Sequence, residues 1–320
     1  MDFVKNVIGE ELAIFEKKFA EAVKSKTAML DRVMKFIIRR KGKQIRPMFV
    51  FLSARLAGEV NESTYRAAAL VELLHTATLV HDDVVDESME RRGFFSINAI
   101  WKNKIAVLVG DYLLSKGLLL STGNNDFEHL HILSDAVRQM SEGELLQLEK
   151  SRKLNLDESI YFEIIRNKTA SLLASACAVG AFSSSQSKEV SNKMKLFGEK
   201  VGMAFQIKDD LFDYGSDDIG KPTGNDIQEK KLTLPLIYTL NKADKPLRNR
   251  LIYILKNENN KTESVKFVIE TVKQAGGIEY ARNKMLAFRD EALNLLHEFP
   301  ESPVRQALEE LVRYTTDRKY

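Results

Sequence analysis

Between Pro47 and Pro222, an interval without another proline, apolar residues recur every three or four positions and do not alternate. That spacing gathers them on one face of a helix and argues against half-buried strands. Two stretches show it most fully: "YRAAALVELLHTATLVHDDVVDE" (65–87) and "NKMKLFGEKVGMAFQIKDDLFDY" (192–214), both rich in Ala, Leu, Glu and Met. Each is apolar around much of its circumference, which marks a helix inside a bundle. Gly198 and Gly202, four apart, predict a face that a neighbouring helix approaches closely. Breaks are predicted at 121–129, 183–188, 215–231 and 256–264, where short polar runs carry turn residues. None resembles a long linker, so the expectation is an all-α fold in a single domain spanning 1–320.

Composition narrows the partners. A chain of 320 residues with 44% hydrophobic content can bury a substantial core. A net charge of +3, with no dense basic block among aromatics, argues against nucleic acid. The single cysteine, Cys177 in "SLLASACAVGAF", reads as a small core residue and fits a reducing compartment. The N-terminal stretch lacks the features of a signal peptide. The longest nearly uncharged run, "TASLLASACAVGAF", falls short of the roughly 20 residues that cross a bilayer. A cytoplasmic, soluble protein is expected, with contact at a membrane surface left open.

The candidate chemistry lies in two copies of Asp-Asp-x-x-Asp, "HDDVVD" (81–86) and "KDDLFD" (208–213), each closing an apolar helix. On a helix, positions four apart share a face about 6 Å apart. Asp82 and Asp86 therefore line up with Asp83 beside them, and Asp209, Asp210 and Asp213 repeat the arrangement. Like charges at this spacing repel, and the helix dipole disfavours anions at a C-terminus. A bound cation relieves both conflicts. Hard oxygen ligands, few in number, suit Mg²⁺ completed by water and substrate phosphates, and no His/Cys spacing competes for zinc. Phosphate partners recur nearby: Lys43 and Arg46 in "GKQIRP", Arg91 and Arg92 after the first motif, and Lys221 in "GKPTGND".

With these residues in order, together with "VGDYLL" (109–114), "EGELLQL" (142–148), "NKTA" (167–170) and "GKPTGNDIQEKKLTLP" (220–235), the chain resembles the trans-type isoprenyl (polyprenyl) diphosphate synthases over nearly its full length. The resemblance is to their long-chain, octaprenyl-synthase-like branch. It implies the isoprenoid synthase fold, an antiparallel helix bundle around a deep central cavity, usually as a homodimer. It implies that Asp82, Asp83, Asp86, Asp209, Asp210 and Asp213 hold about three Mg²⁺ ions on an allylic prenyl diphosphate. Arg91, Lys168, Thr169, Gln206, Lys221 and Lys231 are implied contacts of that substrate, Lys168 also counting as catalytic. Lys43, Arg46, His75 and Arg92 are the implied contacts of isopentenyl diphosphate.

Two departures stand out. Gln44 occupies a place where the family usually has Arg. Lys230 occupies one where Gly is common, which leaves open whether Lys230 or Lys231 reaches phosphate. Upstream of the first motif, family members set product length four and five residues before the first aspartate. Here those residues are the small Thr78 and Ala77, so a deep cavity and a product of about six to eight isoprene units are expected, as for a quinone side chain. A short-chain synthase and the catalytic subunit of a heterodimer stay open. A terpene cyclase fits less well, since it needs neither the second Asp-Asp-x-x-Asp nor a second diphosphate site. A non-catalytic subunit would be expected to lose aspartates, and a His-Asp phosphohydrolase would need more than the five histidines present.

Overall fold

The computed structural model describes residues 1–39, 42–91, 94–153, 157–215 and 224–317. Among them the fold is helical, as the apolar spacing requires. The chain begins with α1 (Asp2–Ala22), α2 (Ala28–Arg39), α3 (Ile45–Ala57) and α4 (Glu62–Val85). A small antiparallel ribbon follows, β1 (Glu90–Arg91) with β2 (Phe94–Phe95), which the helical pattern did not anticipate. Then come α5 (Ile97–Thr122), α6 (Phe127–Lys153) and α7 (Glu158–Ile165), a π-helical turn (Arg166–Ala170), α8 (Ser171–Ser185) and α9 (Lys188–Phe212). The remainder is α10 (Asn225–Gln228), α11 (Leu234–Lys242), α12 (Lys245–Asn257), α13 (Thr262–Gln274), α14 (Gly277–His297) and α15 (Pro303–Asp317).

The helix starts follow local chemistry. Asn61 opens α4 in a capping box, its side chain accepting from the Ser63 and Thr64 amides while Thr64 accepts from the Asn61 amide. Ser96 caps α5, Asp157 caps α7 and Asp244 caps α12. Three of the predicted breaks fall between α5 and α6, between α8 and α9, and between α12 and α13. The fourth, 215–231, holds the short α10 and, at 216–223, lies partly outside the described residues.

The contacts group into two compact units. The first comprises Met1–Val137, Ser175–Lys195 and Phe299–Leu308. Its core includes Val33 and Met34 of α2, Leu73, Ala77 and Val80 of α4, and Val109 and Leu113 of α5, all at most a few per cent exposed. Polar ties stitch its helices together. The Arg55 guanidinium donates to Glu11 at 2.7 Å, joining α3 to α1. Arg66 grips Asp126, joining α4 to the turn before α6. Cys177 is fully buried, and burial pushes its thiol up to about 12, the behaviour of an inert core residue.

The second unit comprises Arg138–Ala174, Leu196–Glu298 and Glu309–Tyr320. Its core joins Tyr161 and Ile165 of α7, Met203 and Ile207 of α9, Ile237 of α11 and Val268 of α13. Gly202 bears out the close approach expected of it. A Cβ there would lie 2.5 Å from the Ala170 Cα, inside the wall of the π-helical turn.

One outcome departs from expectation. Among the described residues α5 is long and apolar enough, by length and composition, to cross a bilayer, with about a third of its apolar window buried. Lys102, Lys104, Asp111 and Lys116 interrupt the run, so it does not read as uncharged in sequence. Ile100, Val107, Leu108, Leu118 and Leu119 stand exposed on it. The helix is broken at Lys102 (φ 73°), and beyond that break Val107, Leu108, Leu118 and Leu119 share one side at 100° per residue.

Candidate active site

In the first unit, α4 delivers the first aspartate motif at its C-terminal end. Asp82 is half-buried, Asp83 is buried and Asp86 is the exposed C-cap residue, its amide donating to the Asp82 carbonyl at 2.8 Å. The chain leaves through Glu87, whose φ of 51° puts a non-glycine residue in the left-handed region. Side chains from the start of α5 hold that exit. Asn98 donates to the Asp83 and Ser88 carbonyls, and Ser96 donates to the Ser88 carbonyl at 2.7 Å.

Beside the motif, Arg46 Nη1 lies 2.9 Å from His75 Nε2. A guanidinium can only donate, so Nε2 accepts and the proton of this neutral imidazole sits on Nδ1. Gln44, at φ 56°, opens α3 from a left-handed conformation without capping it through its side chain. Gln44 and His75 line a cavity of about 360 Å³ whose other walls include Phe15, Phe19, Phe36 and Leu79. Lys43 is exposed. Arg91 stands in β1, its backbone paired with Phe94, and Arg92 lies outside the described residues. Ala77 is fully buried in the α2–α4–α5 core, while the half-buried Thr78 donates its hydroxyl to the His75 carbonyl at 2.9 Å.

The second unit carries the second motif, and its three aspartates differ sharply. Asp209 is exposed. Asp210 is buried, and both its oxygens are engaged: the Tyr161 hydroxyl donates to Oδ2 at 2.7 Å, and Gln206 Nε2 donates to Oδ1 at 2.8 Å. The Asp213 carboxylate accepts the backbone amides of Gly224, Asn225 and Asp226 at 2.8–3.2 Å, pinning the loop that returns from the "GKPTGND" stretch. Gly224 is required there twice over. Its φ is 90°, and a Cβ would meet Val265 at 2.4 Å.

Lys168 and Thr169 sit inside the π-helical turn between α7 and α8, the kind of local widening that recurs at functional sites. The Lys168 ammonium is paired with Glu144, and the Thr169 hydroxyl donates to Gln206 Oε1 at 2.7 Å. These groups line a cleft of about 190 Å³ with Asp209, Asp226 and Lys231. Lys231 pairs with Glu229, whereas Lys230 reaches the Lys256 carbonyl at 3.2 Å and does not line the cleft. Of the two lysines, it is therefore Lys231 that the fold brings to the aspartates. Lys221 lies outside the described residues.

Electrostatics set this cleft apart. Burial, then the Asp226 charge, holds the Asp210 carboxyl at about 7 against the bonds from Tyr161 and Gln206. Burial, then Asp213, raises Asp226 to about 6. Burial also raises Asp213, in spite of its three amide donors. Carboxyls that resist ionising together welcome a cation. The donors are hard oxygens, which fits Mg²⁺. Among the described residues no three His, Cys, Asp or Glu side chains form a cage complete in itself. Asp226, Glu144 and Tyr161 escape sequence reasoning. The first two lie within quoted motifs but carry no periodic signal, and Tyr161 reads as an ordinary aromatic on an apolar helix.

The sequence profile of the polyprenyl synthetase family matches residues 15–272. The all-trans-nonaprenyl-diphosphate synthase (geranyl-diphosphate specific) of Rhodobacter capsulatus is 36% identical over 324 residues, covering 99% of this chain and 99% of that protein. The crystal structure of a decaprenyl diphosphate synthase from Rhodobacter capsulatus matches with a TM-score of 0.94 and 35% identity, covering 99% and 98% of the two chains. That of a geranylgeranyl pyrophosphate synthase from Bacteroides thetaiotaomicron matches with a TM-score of 0.84 and 39% identity, again over 99% and 98%.

The strain at Lys230 is testable. Its φ of 59° puts a residue with a Cβ where glycine sits without clash, at a cost on the order of 1 kcal/mol. Lys230→Gly is expected to raise the urea midpoint slightly and leave prenyl transfer unchanged. A lower midpoint would show that the Lys256 carbonyl contact outweighs the strain.

Proposed function

The chain belongs to the polyprenyl synthetase family, whose members are prenyltransferases, and on that premise we propose that it condenses isopentenyl diphosphate with an allylic prenyl diphosphate such as farnesyl diphosphate. The product is an all-trans polyprenyl diphosphate of about six to eight isoprene units (C30–C40), suited to a quinone side chain, with diphosphate released. The observation that carries the reading is the cleft in which Asp209, Asp210 and Asp226 meet Lys168 and Lys231. The lining offers carboxylate oxygens of Asp209 and Asp226 for a cation and the ammonium groups of Lys168 and Lys231 for a phosphate.

In this reading, Asp82, Asp83 and Asp86, with Asp209 and Asp213 of the second motif, are assigned to about three Mg²⁺ ions that accompany the allylic diphosphate, and Asp210 stands beside Asp209 in the same cleft. When bound, Mg²⁺ neutralises the charge that builds on the departing pyrophosphate. Lys168 and Lys231 add to that stabilisation, each released from a glutamate partner when phosphate arrives. Thr169 and Gln206 meet the same substrate, with Arg91 and Lys221. Lys43, Arg46, His75 and Arg92 hold isopentenyl diphosphate, whose double bond attacks the allylic carbon as the C–O bond breaks. The new chain then loses a proton to the released pyrophosphate. Buried apolar walls keep water from the allylic carbocation character that develops as the C–O bond breaks. The protein acts as one functional domain in the cytoplasm, with the product passing on at a membrane surface.

A second reading has a specific observation behind it. Identity reaches 39% with a protein described as a geranylgeranyl pyrophosphate synthase, so a short product is the alternative. Incubating the pure protein with farnesyl diphosphate, labelled isopentenyl diphosphate, Mg²⁺ and detergent, then sizing the dephosphorylated chains, separates the two. A dominant long polyprenol is expected, and chains that stop at four units would favour the alternative.

Product length is also tied here to Ala77 and Thr78. Ala77→Phe is expected to shorten the chain sharply. Because Ala77 is fully buried, overpacking costs about 1–3 kcal/mol, so melting temperature is read alongside and Thr78→Phe serves as the more tolerant site. A folded variant with unchanged product would refute the assignment.

The apolar side of α5 supports a homodimer. Leu108 and Leu119, both more than half exposed, offer apolar surface of the sort that marks an interface. Sedimentation of the wild type should give a dimer, and Leu108→Glu with Leu119→Glu should give a monomer. A monomeric wild type would reject the proposal, as would a heterodimer requirement.

A further inference from the structure

The three aspartates of the second motif are not equivalent, and the difference assigns a role to a residue outside every motif. Asp210 joins a chain of three hydrogen bonds that is buried at its Tyr161 end and partly buried along the rest. The Thr169 hydroxyl donates to Gln206 Oε1, Gln206 Nε2 donates to Asp210 Oδ1, and the Tyr161 hydroxyl donates to Asp210 Oδ2, all at 2.7–2.8 Å. A side-chain amide is nearly symmetric in shape, so packing alone does not decide which end faces which neighbour. A carboxylate can only accept. Asp210 therefore draws the Gln206 nitrogen toward itself and turns the Gln206 oxygen toward Thr169.

Tyr161 secures the far end of that chain. It is 3% exposed within the core of the second unit, with α7 carrying it, and a phenol in such a place requires a partner. Its partner is the one oxygen of Asp210 that Gln206 leaves over. Without the hydroxyl, that oxygen would lose its donor, and the carboxyl would turn to find another.

We propose that Tyr161 is a positioning residue for prenyl transfer, and that Asp210 serves as the acceptor through which it acts and not as a metal ligand. The hydroxyl fixes the Asp210 carboxylate, the carboxylate fixes the Gln206 amide, and the amide fixes Thr169 in the cleft that also holds Lys168 and Asp209. Asp209, exposed and lining the same cleft, is assigned to meet the cation. The inference rests on the reading that Thr169 and Gln206 contact the allylic diphosphate.

The test compares Tyr161→Phe, Asp210→Asn, the double variant and Asp209→Ala in the full chain. Three quantities are read: kcat with the KM of each substrate, the Mg²⁺ concentration for half-maximal rate, and melting temperature. Calorimetric binding of inorganic pyrophosphate with Mg²⁺ adds a measure that needs no turnover. Each of the first two variants is expected to lower kcat roughly ten-fold while the Mg²⁺ requirement stays within about two-fold. The double variant should lose no more than the worse single one, in rate and in melting temperature, because the two groups act as a unit. Asp209→Ala should lose Mg²⁺-dependent pyrophosphate binding, and Asp210→Asn should keep it. Wild-type kcat in Tyr161→Phe overturns the proposal, as does additive loss. A steep rise in Mg²⁺ requirement or lost pyrophosphate binding in Asp210→Asn restores that residue as a ligand. A wild type that transfers no prenyl group counts against the reaction itself, and calorimetry with the melting cycle still decides the part played by Tyr161 and Asp210.

Discussion

Carboxylates one helical turn apart, near the C-terminal ends of apolar helices, repel one another and oppose the helix dipole. Placing two such clusters in a helical protein obliges the rest of the fold to answer them. At the second motif the answer is given residue by residue. Asp213 takes three backbone amides, Asp210 takes a phenol and a side-chain amide, and Asp209 is left exposed. Burial still holds Asp210 at about 7 and Asp226 at about 6, so these carboxyls resist ionising together, a conflict that a bound cation relieves. At the first motif the answer lies in the backbone. The carbonyls of Asp83 and Ser88 are tied by Asn98, and the motif ends at an exposed cap.

The cationic side chains show the complementary arrangement. Lys168 rests on Glu144 and Lys231 on Glu229, while Arg46 donates to a neutral His75. A partly exposed ion pair contributes little to stability, on the order of 0–1 kcal/mol. Exchanging a glutamate for a substrate phosphate therefore costs the fold little. The pairs hold the ammonium groups near the cleft without committing them, which is the electrostatic readiness a phosphate site needs.

Among the described residues six non-glycine residues have positive φ, and three of them, Gln44, Glu87 and Lys230 (56°, 51° and 59°), lie within or next to a quoted motif. Each turns the chain abruptly next to a charged group that must be aimed. Such conformations persist where the surroundings over-determine them, and they cluster at working sites. At Lys230 a glycine would adopt this turn without the penalty that a Cβ carries.

Much of the molecule was legible in residue order alone. The three- and four-residue spacing specified helices, polar turn residues marked where they end, and paired aspartates pointed to a hard cation and a phosphate, because each of these depends on neighbours within a turn or two. The roles of Asp226, Glu144 and Tyr161 were not legible, nor was the choice between Lys230 and Lys231. Tyr161 and Asp210 are 49 positions apart, and Lys168 and Glu144 are brought together from two different helices. The inequality of Asp209, Asp210 and Asp213 was hidden for the same reason. Three identical side chains in one motif acquire different chemistry only when packing decides which is buried, which meets a backbone amide and which still faces water.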